Sequence, residues 1–293
     1  MKQVLIISNC AAESYHKTLS RFLPDSKVSS MHVSRLQAGP AENDVVLESL
    51  GTPDYILTLP SQTKNLAAKF SDKTKLIEIP GFYFSGYHPD TCYVVERQKP
   101  GRQVGTDFGA YHSIIAFGAF LSGLNVQDTL TLYRGDIYER LGYFDDWEAS
   151  KSAVLNDFRA ASLPIDAQFK KWSRSGCFMH TINHPHVQCF TDIARQVCKL
   201  HFPEFVDVPY PIPDGLSHAS IYPSYPEIAE RYGSWGSHIF KINGQDRVVD
   251  LEQYVKMCFS AYEGYEDGAI TVAGPYSKKL AKIQDYINSE FGK

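Results

Sequence analysis

The chain has 293 residues, with 29 Lys and Arg against 33 Asp and Glu, a net charge of −4 and a pI near 6.2. This balance gives no general electrostatic reason to bind nucleic acid or an anionic membrane, so neither is an expected partner. The first apolar run, Val4 to Ile7, is too short for a secretory signal, and no stretch approaches the ~20 apolar residues of a membrane span. The expectation is a cytoplasmic globule long enough to bury a core without staples. Six cysteines (Cys10, Cys92, Cys177, Cys189, Cys198, Cys258) show no CxxC and no zinc-type Cys/His spacing, which predicts reduced thiols and no structural metal.

Val4-Leu5-Ile6-Ile7 reads as a buried strand that ends in the polar turn Ser8-Asn9-Cys10 and runs into a helix at 11–19. Strand character returns at 27–33, a short helix follows at 40–50, and further strands are expected at 54–59 and 75–79. Ser61-Gln62-Thr63 has the residue types that start a helix. Strands alternating with helices at this spacing indicate a Rossmann-like parallel sheet flanked by helices, an α/β fold. Because parallel strands point one way, the turns that follow them gather at one edge, where such folds place chemistry. Cys10 is therefore the leading candidate nucleophile, with the amides of the following helix expected to lower its pKa.

The segment 81–90, containing Phe82, Tyr83, Phe84, Tyr87, His88 and Asp90, is too aromatic for a solvent loop and too broken by Gly and Pro for a regular element. It reads as a pocket wall, with Asp90 close enough to orient His88. Helices are expected at 107–124, 135–141, 145–161 and 165–172, then a strand at 177–182 ending in Asn183-His184-Pro185, and a helix at 186–200. The proline-rich stretch 202–226 predicts an irregular but ordered excursion. A strand at 237–242 with an Asn243-Gly244 turn precedes helices at 251–262 and 278–291. With no linker and no repeat, the reading is one domain with a largely helical second half. Its blocks are an α/β core of about 1–95 plus 177–200, a helical insert of about 106–173 and a helical C-terminal part, 202–293.

A cysteine, a neighbouring Asn9 and the turn histidines His88 and His184 are the parts of a thiolate nucleophile, an oxyanion donor and a base. No GxxxxGK[ST], GxGxxG or GxSxG motif points elsewhere.

Four sets of residues in order carry a resemblance. They are Ser8-Asn9-Cys10, Phe84-Ser85-Gly86-Tyr87-His88-Pro89-Asp90, Thr181-Ile182-Asn183-His184-Pro185, and the pair of stretches Tyr225 to Gly233 and His238-Ile239-Phe240-Lys241. Together they resemble the WcbI-type capsular polysaccharide acetyltransferase family over most of the chain. The resemblance implies an SGNH-hydrolase-like fold, coenzyme A binding, and transfer of an acetyl group from acetyl-CoA to a sugar hydroxyl in polysaccharide assembly. The family turn reads Gly-Asn-Cys-Gln, whereas this chain has Ser8 and Ala11 at the flanks, so one polar contact is lost. The residues expected at the coenzyme are Ser8, Ser61, Gln62, Tyr87 and Asn183, with Arg231 and Lys241 for its phosphates. Transfer through an acetyl-cysteine, direct attack by the sugar hydroxyl, hydrolysis of a glycan ester and plain glycan binding all remain open on the residues alone.

Overall fold

The computed structural model describes residues 1–36, 40–70, 73–99, 101–209 and 211–292. In chain order the first part forms β1 (Lys2–Ser8), α1 (Ala12–Phe22), β2 (Ser26–His32), α2 (Pro40–Ser49), β3 (Tyr55–Thr58), α3 (Pro60–Ala67) and β4 (Lys75–Glu78). The middle contributes β5 (Thr91–Glu96), β6 (Tyr111–Ser113), α4 (Ile114–Leu121), α5 (Val126–Leu130), α6 (Gly135–Leu141), α7 (Asp146–Ala160) and α8 (Asp166–Arg174). The remainder is β7 (Met179–Thr181), β8 (His184–Pro185), α9 (Val187–His201), α10 (Pro226–Arg231), β9 (Phe240–Lys241), β10 (Val248–Val249), α11 (Leu251–Tyr262), β11 (Ile270–Val272) and α12 (Ser277–Phe291). Residues gather into two compact units. One holds Met1–Tyr83, Ser152–Phe178 and Asn183–Leu216; the other holds Phe84–Lys151, Met179–Ile182 and Ser217–Lys293.

The first unit is the expected α/β layer, with a parallel sheet in the order β2-β1-β3-β4. Val4 to Ile7 are buried on both faces, as a central parallel strand must be, which is why the run is continuously apolar. On one face Leu5, Ile7, Met31, Ile56 and Leu66 form a cluster. α1 packs against α9, with Tyr15 edge-on to Phe190 at 5.1 Å. From β1 the chain steps to β2 on one side and then crosses to β3 on the other. That reversal opens a crevice at the carboxyl ends of β1 and β3.

The second half of the chain is largely helical, as expected, and the second unit adds an antiparallel sheet, β11-β5-β6, in which Val94 faces Val272 and Cys92 faces His112. The helix expected from 107 begins only at Ile114, because Gly109 takes φ +76° and Ser113 is an N-cap whose Oγ accepts from the Ala116 amide at 3.0 Å. The strand expected over 237–242 shrinks to β9, which pairs with β10 around the Asn243-Gly244 turn. α4 is buried from Ile114 to Ala119, and Gly118 lets α12 approach, since a Cβ there would stand 2.5 Å from Ile283 Cγ2.

Candidate active site

In the first unit, Ser8 ends β1 and is buried. Asn9 then closes the turn: its Oδ1 accepts from the Ala11 amide at 3.1 Å and its carbonyl from the Ala12 amide at 2.9 Å. Cys10 is at the apex and exposed, whereas Cys177 is half-buried and the other four cysteines are buried. Although the residue is accessible, burial around its sulfur raises the thiol pKa above the ordinary value, opposed only by its own amide. The direction is opposite to the lowering expected from the helix amides. The Ala11 and Ala12 amides at the start of α1 are engaged by Asn9. Even so, Cys10 is less hindered than the buried thiols, of which Cys198 and Cys258 are pushed up to about 12.

Beside the turn lies a pocket of about 410 Å³, lined by Asn9, Ser61, Glu78, Gly81 and Asp157 among others. It sits at the carboxyl ends of β3 and β4, and a Cβ on Gly81 would stand 3.6 Å from Asn9 Nδ2. Among the described residues that Nδ2 has no acceptor, and neither Glu78 nor Asp157 has a cationic partner. Two carboxylates repel phosphate, so these residues fit the neutral, amide- or hydroxyl-bearing part of a ligand and not the phosphates of coenzyme A. Ser61 lines this pocket; Gln62 lines a separate one of about 310 Å³ with Leu66 and Lys69.

His184 is buried and Asn183 half-buried in the turn before it. The helix that follows, α9, is capped from within: Asp214 Oδ2 accepts from the Val187 amide at 2.9 Å and Oδ1 from the Leu216 amide at 3.1 Å. Its anion position is therefore filled by the chain's own carboxylate.

In the second unit His88 is buried and its Nε2 donates to the Tyr222 carbonyl at 2.9 Å. A carbonyl only accepts, so Nε2 carries the hydrogen and the neutral ring keeps its lone pair on Nδ1. Asp90 does not set this tautomer, as the sequence suggested. Its Oδ1 accepts from the Tyr143 hydroxyl at 2.6 Å and the Ile115 amide at 3.1 Å, and its Oδ2 from the Tyr225 hydroxyl at 2.7 Å. Tyr87 is likewise not a surface contact, being fully buried edge-on to Phe84 and Trp147 at 5.7 and 4.9 Å.

Lys241 is no free phosphate ligand: its ammonium donates to the carbonyls of His218, Ala219 and Ile242 at 2.9, 3.2 and 3.5 Å. Arg231 is exposed, with its guanidinium 5.0 Å from the Phe144 ring centroid. Tyr222, Tyr225 and Tyr143 are the residues that sequence reasoning missed; the two in the C-terminal part lie more than 130 positions from the groups they hold. Among the described residues no helix is long and apolar enough to cross a membrane, and no group of His, Cys, Asp and Glu could hold a metal ion.

The family model for WcbI, described as a polysaccharide biosynthesis enzyme, matches residues 3–202. A solved structure of WcbI, described as a novel polysaccharide biosynthesis enzyme in its native form without a disulfide bond between coenzyme A and one of its cysteines, shares the fold. The TM-score is 0.65 at 15% identity, covering 99% of this chain and 95% of that one. No curated protein matches.

Proposed function

The chain belongs to the WcbI family of polysaccharide biosynthesis enzymes, and from that premise we propose that it transfers an acetyl group from acetyl-coenzyme A to a sugar hydroxyl. The observation that carries the proposal is an exposed cysteine where the parallel sheet reverses its strand order, next to an asparagine amide with no acceptor among the described residues. Acetyl-CoA supplies the acyl group as an activated thioester. The chain's own part begins with a base that takes the Cys10 proton. Asn9 Nδ2 is placed to donate to the oxygen on which negative charge develops. Cys10 takes the acetyl group as a thioester, the donor's acetyl–sulfur bond breaking and coenzyme A leaving as its thiol with the proton the base returns; the sugar hydroxyl, deprotonated in turn, then attacks that carbonyl and releases the Cys10 thiol. His88 and His184 are the candidates for the base. The structural relative is described in a native form without a disulfide bond between coenzyme A and one of its cysteines. Cys10 is the residue of this chain we match to that cysteine.

The test joins binding to chemistry. Calorimetry should show coenzyme A and acetyl-CoA binding the intact protein, and neutral-pH alkylation should modify Cys10 before the other five cysteines. Intact-mass spectra after acetyl-CoA should show one acetyl adduct that Cys10→Ser removes, with turnover reduced by orders of magnitude. No binding of either ligand would sink the transferase reading. Near-normal transfer by Cys10→Ser would replace the covalent route with direct attack by the sugar hydroxyl.

A further inference from the structure

A part of the second unit that the mechanism does not use concentrates polar atoms without partners. Ser224 Oγ, Glu227 Oε2, Ser234 Oγ, His238 Nε2 and Tyr138 Oη are all buried and make no hydrogen bond among the described residues. Tyr138 and Ser224, at 0% and 4% exposed, are among the most buried polar side chains of the unit. The five share one neighbourhood. The Tyr138 and His238 rings both lie against Tyr225, at 5.5 and 5.3 Å. The Glu227 charge acts on both Tyr138 and His238, and the Ser237 amide donates to the Ser224 carbonyl at 3.0 Å. Leaving a buried polar atom unpaired is costly and native proteins do it rarely, so five together mark a place that hydrogen-bonds something other than protein.

The turn that runs through this cluster carries Trp235, 95% exposed. An indole in water has no packing to account for it, and the turn that carries it is closed on α10. The Ser234 amide donates to the Ala229 carbonyl at 2.9 Å, and Gly236 is pressed so closely on α10 that a Cβ would stand 2.5 Å from Pro226 Cα. Gly233, at φ +63°, opens the turn in a left-handed conformation that favours glycine. A flat apolar face beside hidden donors and acceptors matches a pyranose ring, which presents C–H groups on its face and hydroxyls around its rim. An apolar peptide or a lipid surface would cover the indole and leave the polar atoms unpaired.

We propose that residues 224–238 form a subsite for a pyranose ring of the glycan acceptor. Trp235 is its stacking face, and Ser224, Glu227, Ser234 and His238 bind its hydroxyls once the turn 233–236 lifts. The inference rests on the acceptor half of the function proposed above.

The intact protein is screened on a printed array of pyranose oligosaccharides from bacterial polysaccharides, and the best glycan is titrated while acrylamide quenches tryptophan fluorescence. Trp172 is buried and Trp147 half-buried, so the quenchable signal reports Trp235. The glycan should shield Trp235. Trp235→Ala should weaken its binding roughly fivefold or more, with Trp235→Phe retaining most of it and the melting temperature unchanged. Glu227→Gln should weaken it as well. Coenzyme A calorimetry on the same wild-type sample reads the donor half separately: coenzyme A bound with no glycan bound overturns this inference alone. So does equal glycan binding by Trp235→Ala, or shielding of Trp235 by an apolar peptide or vesicles and not by glycans. Glycan binding unmoved by both Glu227→Gln and His238→Ala would leave the polar atoms holding water only and overturn their role.

Discussion

Acid should destabilise the second unit through His112. This ring is fully buried; its Nε2 donates to the Val104 carbonyl at 2.9 Å and its Nδ1 accepts from the Tyr262 hydroxyl at 2.9 Å. Burial lowers its pKa from the ordinary 6.5 to about 4, with the Val104 hydrogen bond opposing. Between those two values the unfolded chain binds a proton that the folded one refuses, so stability falls as pH falls. The contribution is complete above pH 6.5 and is lost progressively toward pH 4. At ~1.36 kcal/mol per pH unit the window is worth about 3 kcal/mol, a large share of a typical folding free energy. His112→Gln isolates the effect, because an amide can offer one donor and one acceptor along the same two directions without titrating. Urea melts of wild type and His112→Gln from pH 4 to 7.5 should give a stability difference that is flat at the neutral end and moves against the wild type by up to about 3 kcal/mol at the acid end. A difference constant across the range would refute the argument.

The two candidate bases should separate on substitution by alanine. The true base should lower turnover by ~10²–10⁴ with little change in melting, while a structural histidine should mainly lower the denaturation midpoint. Gly118→Ala should cost ~1–3 kcal/mol in urea melts, because the added methyl meets Ile283 Cγ2 in a filled core. Gly105→Ala, with nothing within 4 Å, should be close to neutral in the same assay.

What was legible in the sequence follows from locality. The β1 run, the turn at Cys10 and the order of strands and helices in the first unit are written as contiguous apolar stretches between polar turns. Strands β2 to β4 and helix α2 accordingly fall within one residue of expectation at each end. The second sheet was not legible. β6 and β11 are only three residues long, and β5 finds β11 across more than 170 positions, so no local pattern announces them. Phe108 and Tyr111 stand at helical spacing from Ile114 and Ile115, which extended the expected helix back through a glycine turn and a strand. The tautomer of His88 was hidden for another reason: its partner is a backbone carbonyl, which no residue type reveals. Lys241 shows the converse, a charge that invites a phosphate until the fold surrounds it with carbonyls.

Asp90 ties two elements of the second unit together. Its carbonyl accepts from the Ile114 amide at 2.9 Å and its Oδ1 from the Ile115 amide, while Ser113 Oγ takes the Ala116 amide. The first three amides of α4 are thus all satisfied, which an apolar helix sunk in the core requires. The same carboxylate receives the Tyr143 and Tyr225 hydroxyls, whose pKa values burial and the Asp90 charge drive upward, so they stay protonated and keep donating. Asp90 is therefore an anchor: it pins the end of the segment that carries His88 to a helix that cannot move without opening the core. Elsewhere along that segment the Ser85 amide donates to Ser150 Oγ at 2.9 Å, the His88 amide to the Ser85 carbonyl at 2.8 Å, and Lys279 to the Pro89 carbonyl at 3.1 Å. A loop without regular structure is in this way held at Ser85, His88, Pro89 and Asp90. With its Nε2 bonded to the Tyr222 carbonyl, the His88 ring is held in one orientation by a segment that is itself anchored.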